Sequence, residues 1–346
     1  MCILRTAFLS AIFLVSAPIF AVEPAEDPPE IQSSEEAAST DEVAGDAEST
    51  GRLDTSKRLV DTGVQRASQW VDDFFQDSTY DAEAANSQIR LRPEFYYRKE
   101  QGAKAKFRFR ARLNLPSMGN RVSLVAGADD DSGGFDDSVD DSSDDGVIGL
   151  QFFMKESSRW NTSISVGMKF NDFAGFIGPR VRFTDVLGEK GSYRFTQTVR
   201  WQTNNYWQFN TRLDLNRLIS EHLFFRQTFD GRWRGEDAVD DGYRTRVSSF
   251  LTQRLGQLSG LQYEFSTIFH TKPDTHVHKY TVAVRYRKRT KYDWLYYEIV
   301  PQISFDHDYG YRFNPGIRLR LEFFFGTDTI DQFYSREAED SEDFRW

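Results

Sequence analysis

Cysteine is almost absent from this chain. The single one, Cys2, stands ahead of the apolar run Ala7–Ser16, not just behind it, where a lipid-anchored protein would need it. Beyond residue 21 there is no thiol, which excludes disulfides, thiolate metal sites and cysteine nucleophiles from that part. Also missing is any apolar run of the roughly 20 residues that a spanning helix requires. Ala7–Ser16 is too short for that. With Arg5 as the only charge before it and the small Ala21 after it, it predicts a secretory signal peptide over 1–21. There is no Gly-rich phosphate loop and no alternation of strands with helices, so nucleotide chemistry and nucleic-acid binding have no basis here.

What the chain has in abundance is aromatic side chains (30 Phe, 15 Tyr, 7 Trp) and charge of both signs in separate places. The net charge of −10 comes from acidic stretches at 22–50, 129–145 and 328–343, while the segments between 88 and 325 are rich in Arg. Residues 22–52 offer almost nothing to bury and predict a disordered acidic linker. Residues 53–87 predict one amphipathic helix and a turn. Val60, Val64, Ala67, Val71 and Phe74 recur at helical spacing, with Arg58, Asp61, Gln65, Arg66, Gln69 and Asp72 off that face. The reading taken is a short surface helix beside the rest of the fold. Docking on a rim, filling a lumen or lying on a membrane leaflet are the alternatives.

From 88 onward the pattern changes to a period of two. In 309–325, Phe313, Ile317, Leu319, Leu321, Phe323 and Phe325 fall on one face and Arg312, Asn314, Arg318, Arg320 and Glu322 on the other. Segment 103–114 alternates Lys104, Lys106, Arg108, Arg110 and Arg112 with Ala105, Phe107, Phe109, Ala111 and Leu113. Strands are expected at 89–98, 103–114, 120–127, 147–156, 160–170, 177–187, 192–202, 205–216, 222–234, 242–253, 259–270, 278–288, 293–305 and 311–325. That is an all-β, antiparallel transmembrane β-barrel of about 14 strands over 88–325, with 12 or 16 if a pair is split or fused. Each segment is near the 9–11 residues of a tilted crossing. An even count puts both barrel ends on one side, with short turns there and the longer loops, including 128–146, on the other. Trp160 and Trp294 then mark one interface and Trp201, Trp207 and Trp233 the other.

The run Asn314-Pro-Gly316-Ile-Arg-Leu319-Arg-Leu321 resembles the last-strand signal of bacterial outer-membrane β-barrel proteins, a broad, porin-like class. That resemblance implies an outer-membrane location, with linker and tail in the periplasm, contact with outer-membrane lipid and lipopolysaccharide, and recognition of this strand by the barrel-assembly machinery. It departs from the class in one respect: an acidic tail, 326–346, follows the strand.

Of the possible sites, the lumen is the main one. Arg90, Arg92, Lys104, Lys106, Arg108, Arg110, Arg112, Arg318 and Arg320 are expected to point inward, among other Arg residues. The expected inward acids are fewer: Glu94, Asp214, Asp230, Glu264, Glu298, Asp306 and Glu322. No acid lies among the cations of 103–114 itself. The function read from this is a passive channel favouring small anionic solutes. A closed structural or assembly barrel and an outer-membrane lipid-modifying enzyme are the alternatives. Ser266 precedes His270 and Ser304 precedes His307, but no nucleophile motif surrounds them, so no catalytic residue is assigned. The carboxylates of 129–145 lack EF-hand order and could bridge to lipopolysaccharide only through a looser cation site. His270, His276, His278 and His307 lie in or beside two outer loops at irregular spacing, and neither metal nor cofactor is assigned to them.

Overall fold

The structure, a computed structural model, describes residues 63–72, 74–75, 87–115, 122–128, 146–156, 159–170, 173–204, 206–235, 242–292 and 294–326. The readings made for 1–21, 22–52, 129–145 and the tail beyond 326 lie outside the described residues. Fourteen antiparallel strands close on themselves in sequence order, the last pairing with the first. They are β1 (Gln88–Arg98), β2 (Gly102–Asn114), β3 (Val122–Ala128), β4 (Gly146–Glu156), β5 (Trp160–Lys169), β6 (Gly175–Val186) and β7 (Gly191–Gln202). Then follow β8 (Tyr206–Ser220), β9 (Leu223–Arg234), β10 (Arg244–Gly256), β11 (Ser259–His270), β12 (His276–Arg289), β13 (Leu295–Asp306) and β14 (Asn314–Gly326). Every expected strand is present. The largest shift is at β8, which runs on to Ser220 because an irregularity between Leu218 and Ser220 lets it keep pairing with β9.

The sidedness is that of a protein dissolved in lipid. On β14, Ile317, Leu319 and Leu321 are 40–46 % exposed, whereas Arg318, Arg320 and Glu322 between them are 1–7 % exposed. In water this arrangement would leave apolar side chains solvated and bury charges, both unfavourable. In a bilayer the outer face meets hydrocarbon and the closed sheet leaves no unpaired edge. Aromatic residues gather at both ends of the strands. Trp160 packs against Phe183 (4.7 Å between ring centres) and Trp294 stacks with Phe323 and Phe325 (6.0 and 6.2 Å) at the end carrying the short turns. At the other end Trp201 faces Trp207 across β7 and β8, and Phe209 lies 5.7 Å from Trp233. These are interface girdles.

The faces can be tested on one strand. A charge on the lipid face near mid-membrane costs about 2–4 kcal/mol. Leu321→Arg is therefore expected to cut the fraction of assembled barrel sharply, measured as the heat-modifiable band on a gel. A normal band would show that Leu321 does not face lipid.

The helix α1 spans 63–72, with 74 and 75 also helical. It does not lie beside the barrel, as the sequence reading had it. Val64, Ala67, Trp70, Val71, Phe74 and Phe75 are all nearly fully buried, packed with Phe224 and Tyr296 and against Leu218. Phe224 and Tyr296 project from the inner face of β9 and β13 near the short-turn end, so α1 sits within that mouth. Gln65, Arg66 and Gln69 are exposed, as the helical pattern predicts. Asp72 departs from it: instead of facing solvent it is 5 % exposed and ion-paired to Arg194 and Arg226.

Candidate functional site

The inner face of the barrel is a wall of charge. All seven acids expected there are buried, and so are Arg90, Arg92, Arg112, Arg318 and Arg320. Lys106, Arg108 and Arg110 are half-buried and Lys104 is exposed toward the long-loop end. Across the described residues of the strands, seventeen buried Arg or Lys side chains share the wall with those seven buried carboxylates.

The sequence reading left the cations of β1 and β2 without acids of their own beyond Glu94. The structure supplies acids from across the barrel seam. Arg320 on β14 donates from Nε to Glu94 (2.8 Å) and from a terminal nitrogen to Glu298 on β13 (3.3 Å). Arg108 lies 3.5 Å from Glu94 and Arg92 lies 3.2 Å from Glu322. Arg287 on β12 joins Glu322 (2.8 Å) to Glu298 (3.5 Å), and Arg285 adds a further contact to Glu298 at 3.6 Å. Three carboxylates thus hold five guanidinium groups from β1, β2, β12 and β14 in one continuous network. The register makes this possible, because Glu94 is opposite Arg320 and Glu298 is opposite both Arg287 and Arg320. A second group forms on the far wall, where Arg212 chelates Asp214 through Nε at 3.1 Å to both oxygens and Arg246 bonds Glu264 at 2.6 Å. Planar guanidinium groups suit this role because each bridges two acceptors.

The seat of α1 is built into the same wall. Arg226 donates to Ser68 (3.0 Å) and Asn216 (2.8 Å) as well as to Asp72, and Arg194 donates to Asp72 at 2.9 Å. Arg254 lies over the ring of Trp70 (5.4 Å), and Arg287 over the rings of Phe74 (5.9 Å) and Tyr296 (4.7 Å). Between Arg254 and Arg287 in register stands Gly260. A Cβ there would come within about 3.0 Å of the rings of Trp70, Phe74 and Phe75, so a side chain would have to push the aromatic face of the helix away. From Arg194 on β7 to Tyr296 on β13, every strand in turn contributes a contact to α1 or its seat.

The last-strand residues occupy distinct places. Leu319 and Leu321 face outward, and Asn314 is buried with its side-chain oxygen accepting from the Glu100 amide (3.1 Å). Gly316 packs so closely on β1 that a Cβ would fall 2.7 Å from the Tyr97 carbonyl. Ser304 is buried, its hydroxyl donating to the Asn314 carbonyl at 3.4 Å, and Ser266 is buried too. His270, His276, His278 and His307, scattered in sequence, are brought together at the long-loop end.

A closed, lipid-facing sheet with a charged interior and interface girdles defines a transmembrane β-barrel. No family model and no curated protein matches the chain. Among solved structures it is similar to the CymD monoaromatic hydrocarbon channel (7 % identity, TM-score 0.45, 73 % of this chain and 92 % of that one). A loop-deletion variant of OmpT from Vibrio cholerae gives 9 % identity and a TM-score of 0.44 over 70 % of this chain and all of that one. The channel DcaP of Acinetobacter baumannii gives 9 % and 0.41 over 69 % and 96 %.

Proposed function

We propose that the protein is a passive outer-membrane channel with a cationic lumen that favours small anionic solutes, and that α1 fills the short-turn mouth in its resting form. The observation that carries this is the excess, among the described residues of the strands, of buried cationic over buried anionic side chains on the inner face. Charges lining a water-filled bore with low-dielectric walls bias passage toward the opposite sign. A dry interior would cost each of these ions several kcal/mol of lost hydration, which water or a bound anion along the wall relieves. The short-turn end, where β1 begins and β14 ends, is assigned to the periplasm, and β14 to recognition by the assembly machinery. Lipopolysaccharide and outer-membrane lipid are the surroundings of the apolar band.

The test is the reversal potential of the purified protein in a planar bilayer under a KCl gradient, run on the intact chain and on a chain lacking 53–75. Chloride is expected to pass in preference to potassium, and Arg108→Glu with Arg110→Glu to reduce or reverse that preference. The preference should weaken in high salt, because the Debye length falls from about 10 Å at 0.1 M to about 3 Å at 1 M. A barrel that assembles normally and conducts in neither form would instead be a closed structural barrel.

A further inference from the structure

Four of the chain's five histidines meet at the long-loop end of the barrel, and sequence spacing alone gives no reason for it. His270 ends β11 and pairs with His276 at the start of β12. The register then slips: Ile268 pairs with Lys279 but Phe269 with Val277, which makes His278 an extra residue in β12. Such a bulge re-aims a side chain without ending the sheet. The ring of His278 accordingly stacks on that of His270, 4.2 Å between centres and 6° from parallel, while His276 sits 5.8 Å from His270. One ring nitrogen from each of the three lies within 4.8 Å of the others.

We propose that His270, His276 and His278 bind a divalent transition-metal ion of the Zn2+ kind, with the carboxylates of Asp306 and Asp308 beside His278. Ligand nitrogens of a tetrahedral zinc site are about 3.4 Å apart, given metal–nitrogen bonds of about 2.0–2.1 Å. Because an imidazole lone pair lies in its ring plane, one of the two stacked rings, His270 or His278, turns out of the stack for both to face one ion. His276 is already oriented for it: its Nδ1 lies 2.7 Å from the Asp274 carbonyl, which can only accept. Nδ1 therefore carries the proton and Nε2 presents the lone pair, the usual arrangement of a metal-binding histidine held by a backbone carbonyl. The oxygens of Asp306 and Asp308 converge on His278 within the same 4.8 Å. They offset the positive charge of Lys279, 3.5 Å from Asp306, and of Arg244, which is opposite His270 in register. Imidazole with carboxylate suits zinc, nickel or copper rather than magnesium or calcium.

The ligands belong to two neighbouring connections. His270, His276 and His278 form the β11–β12 hairpin, while Asp306 and Asp308 flank the start of the β13–β14 loop. The two are already joined by the Tyr311 hydroxyl, which donates to the Val277 carbonyl. His307 is in the same loop, its ring 4.7 Å from that of His276. A bound ion would staple the two loops to each other at the long-loop mouth. This inference does not depend on whether the barrel conducts.

The experiment is calorimetric titration of the full chain, purified in detergent without a histidine tag, with ZnCl2. Co2+ absorption in the visible serves as a second readout of nitrogen ligation. One Zn2+ per chain is expected. His270→Ala with His278→Ala should weaken binding at least 100-fold, and His276→Ala alone at least tenfold. His222→Ala, in the short β8–β9 turn, should leave binding unchanged. Heat-modifiable mobility reports whether each variant assembles, and the single His276→Ala variant decides the matter if the double variant does not. No saturable Zn2+ binding by the intact chain, or binding that survives His276→Ala in an assembled barrel, overturns the proposal.

Discussion

Trp70→Ala combined with Asp72→Ala is expected to raise single-channel conductance severalfold, to the level reached by deleting 53–75. Each change removes a different part of the seat. Trp70 is 4 % exposed, stacks on Phe74 with ring centres 4.7 Å apart and lies under Arg254. Truncating a buried aromatic of this kind costs about 3–5 kcal/mol. Asp72 neutralises Arg194 and Arg226 together, and removing one member of a buried ion pair costs a similar 3–5 kcal/mol because the others stay buried without it. Even part of that energy shifts the docked fraction strongly, since about 1.4 kcal/mol is a factor of ten. Gly260→Leu should act in the same direction from the barrel side by taking the space of three aromatic rings. Gln69→Ala, on the exposed side of α1, should leave conductance unchanged. Equal conductance from the intact and truncated chains would mean that α1 does not obstruct the path.

The second large effect is expected at Arg320. From the sequence alone Arg320 is one solvated lumen residue among many, and Arg320→Ser looks mild. The structure makes it the link between Glu94 and Glu298, which are 5 % and 1 % exposed. Its loss takes from both carboxylates their shared partner at the seam where β14 closes on β1; with Arg108, Arg285 and Arg287 remaining, the cost is about 2–3 kcal/mol, below the about 3–5 kcal/mol of a fully uncompensated charge. The thermal or urea midpoint of the assembled barrel should fall accordingly, followed by tryptophan fluorescence or gel mobility. Arg320→Lys should recover only part of it, because an ammonium group does not span two acceptors as a guanidinium does. Lys104→Ser, at the exposed end of β2, should cost less than about 1 kcal/mol. If Arg320→Ser proves as mild as Lys104→Ser, the network does not hold the seam.

The barrel was legible because its signal is local and repeated. Alternation fixes the face of each residue on a strand, and fourteen strands repeat the same rule, so the inward acids could be named one by one. Register was not legible. Nothing in β1 or β2 says that Glu94 meets Arg320, and so the cations of that wall looked less supported than they are. The seat of α1 left a trace that alternation alone passes over. Phe224-Phe225 and Tyr296-Tyr297 put an aromatic on both faces at the short-turn ends of β9 and β13, where a purely wet lumen calls for polar residues. Phe224 and Tyr296 are the inward members, and both are buried. Gly260 on β11 is the complementary trace, a missing side chain where a wide one would collide. The histidine cluster needed the β12 bulge, which no local pattern announces.

Placing α1 ahead of β1 has a kinetic and thermodynamic consequence. Eleven residues, 76–86, join Phe75 to Ser87, a reach of at most about 40 Å at roughly 3.3–3.6 Å per residue. The helix is therefore tethered to the very mouth it occupies, and its docking is a unimolecular equilibrium. A short tether of this kind presents the helix at an effective concentration on the order of millimolar. A seat with an intrinsic Kd of only about 10 μM would then be about 99 % occupied, whatever the abundance of the protein in the membrane. A modest competing interaction for the helix would be enough to empty it, and release would leave the helix close at hand to return.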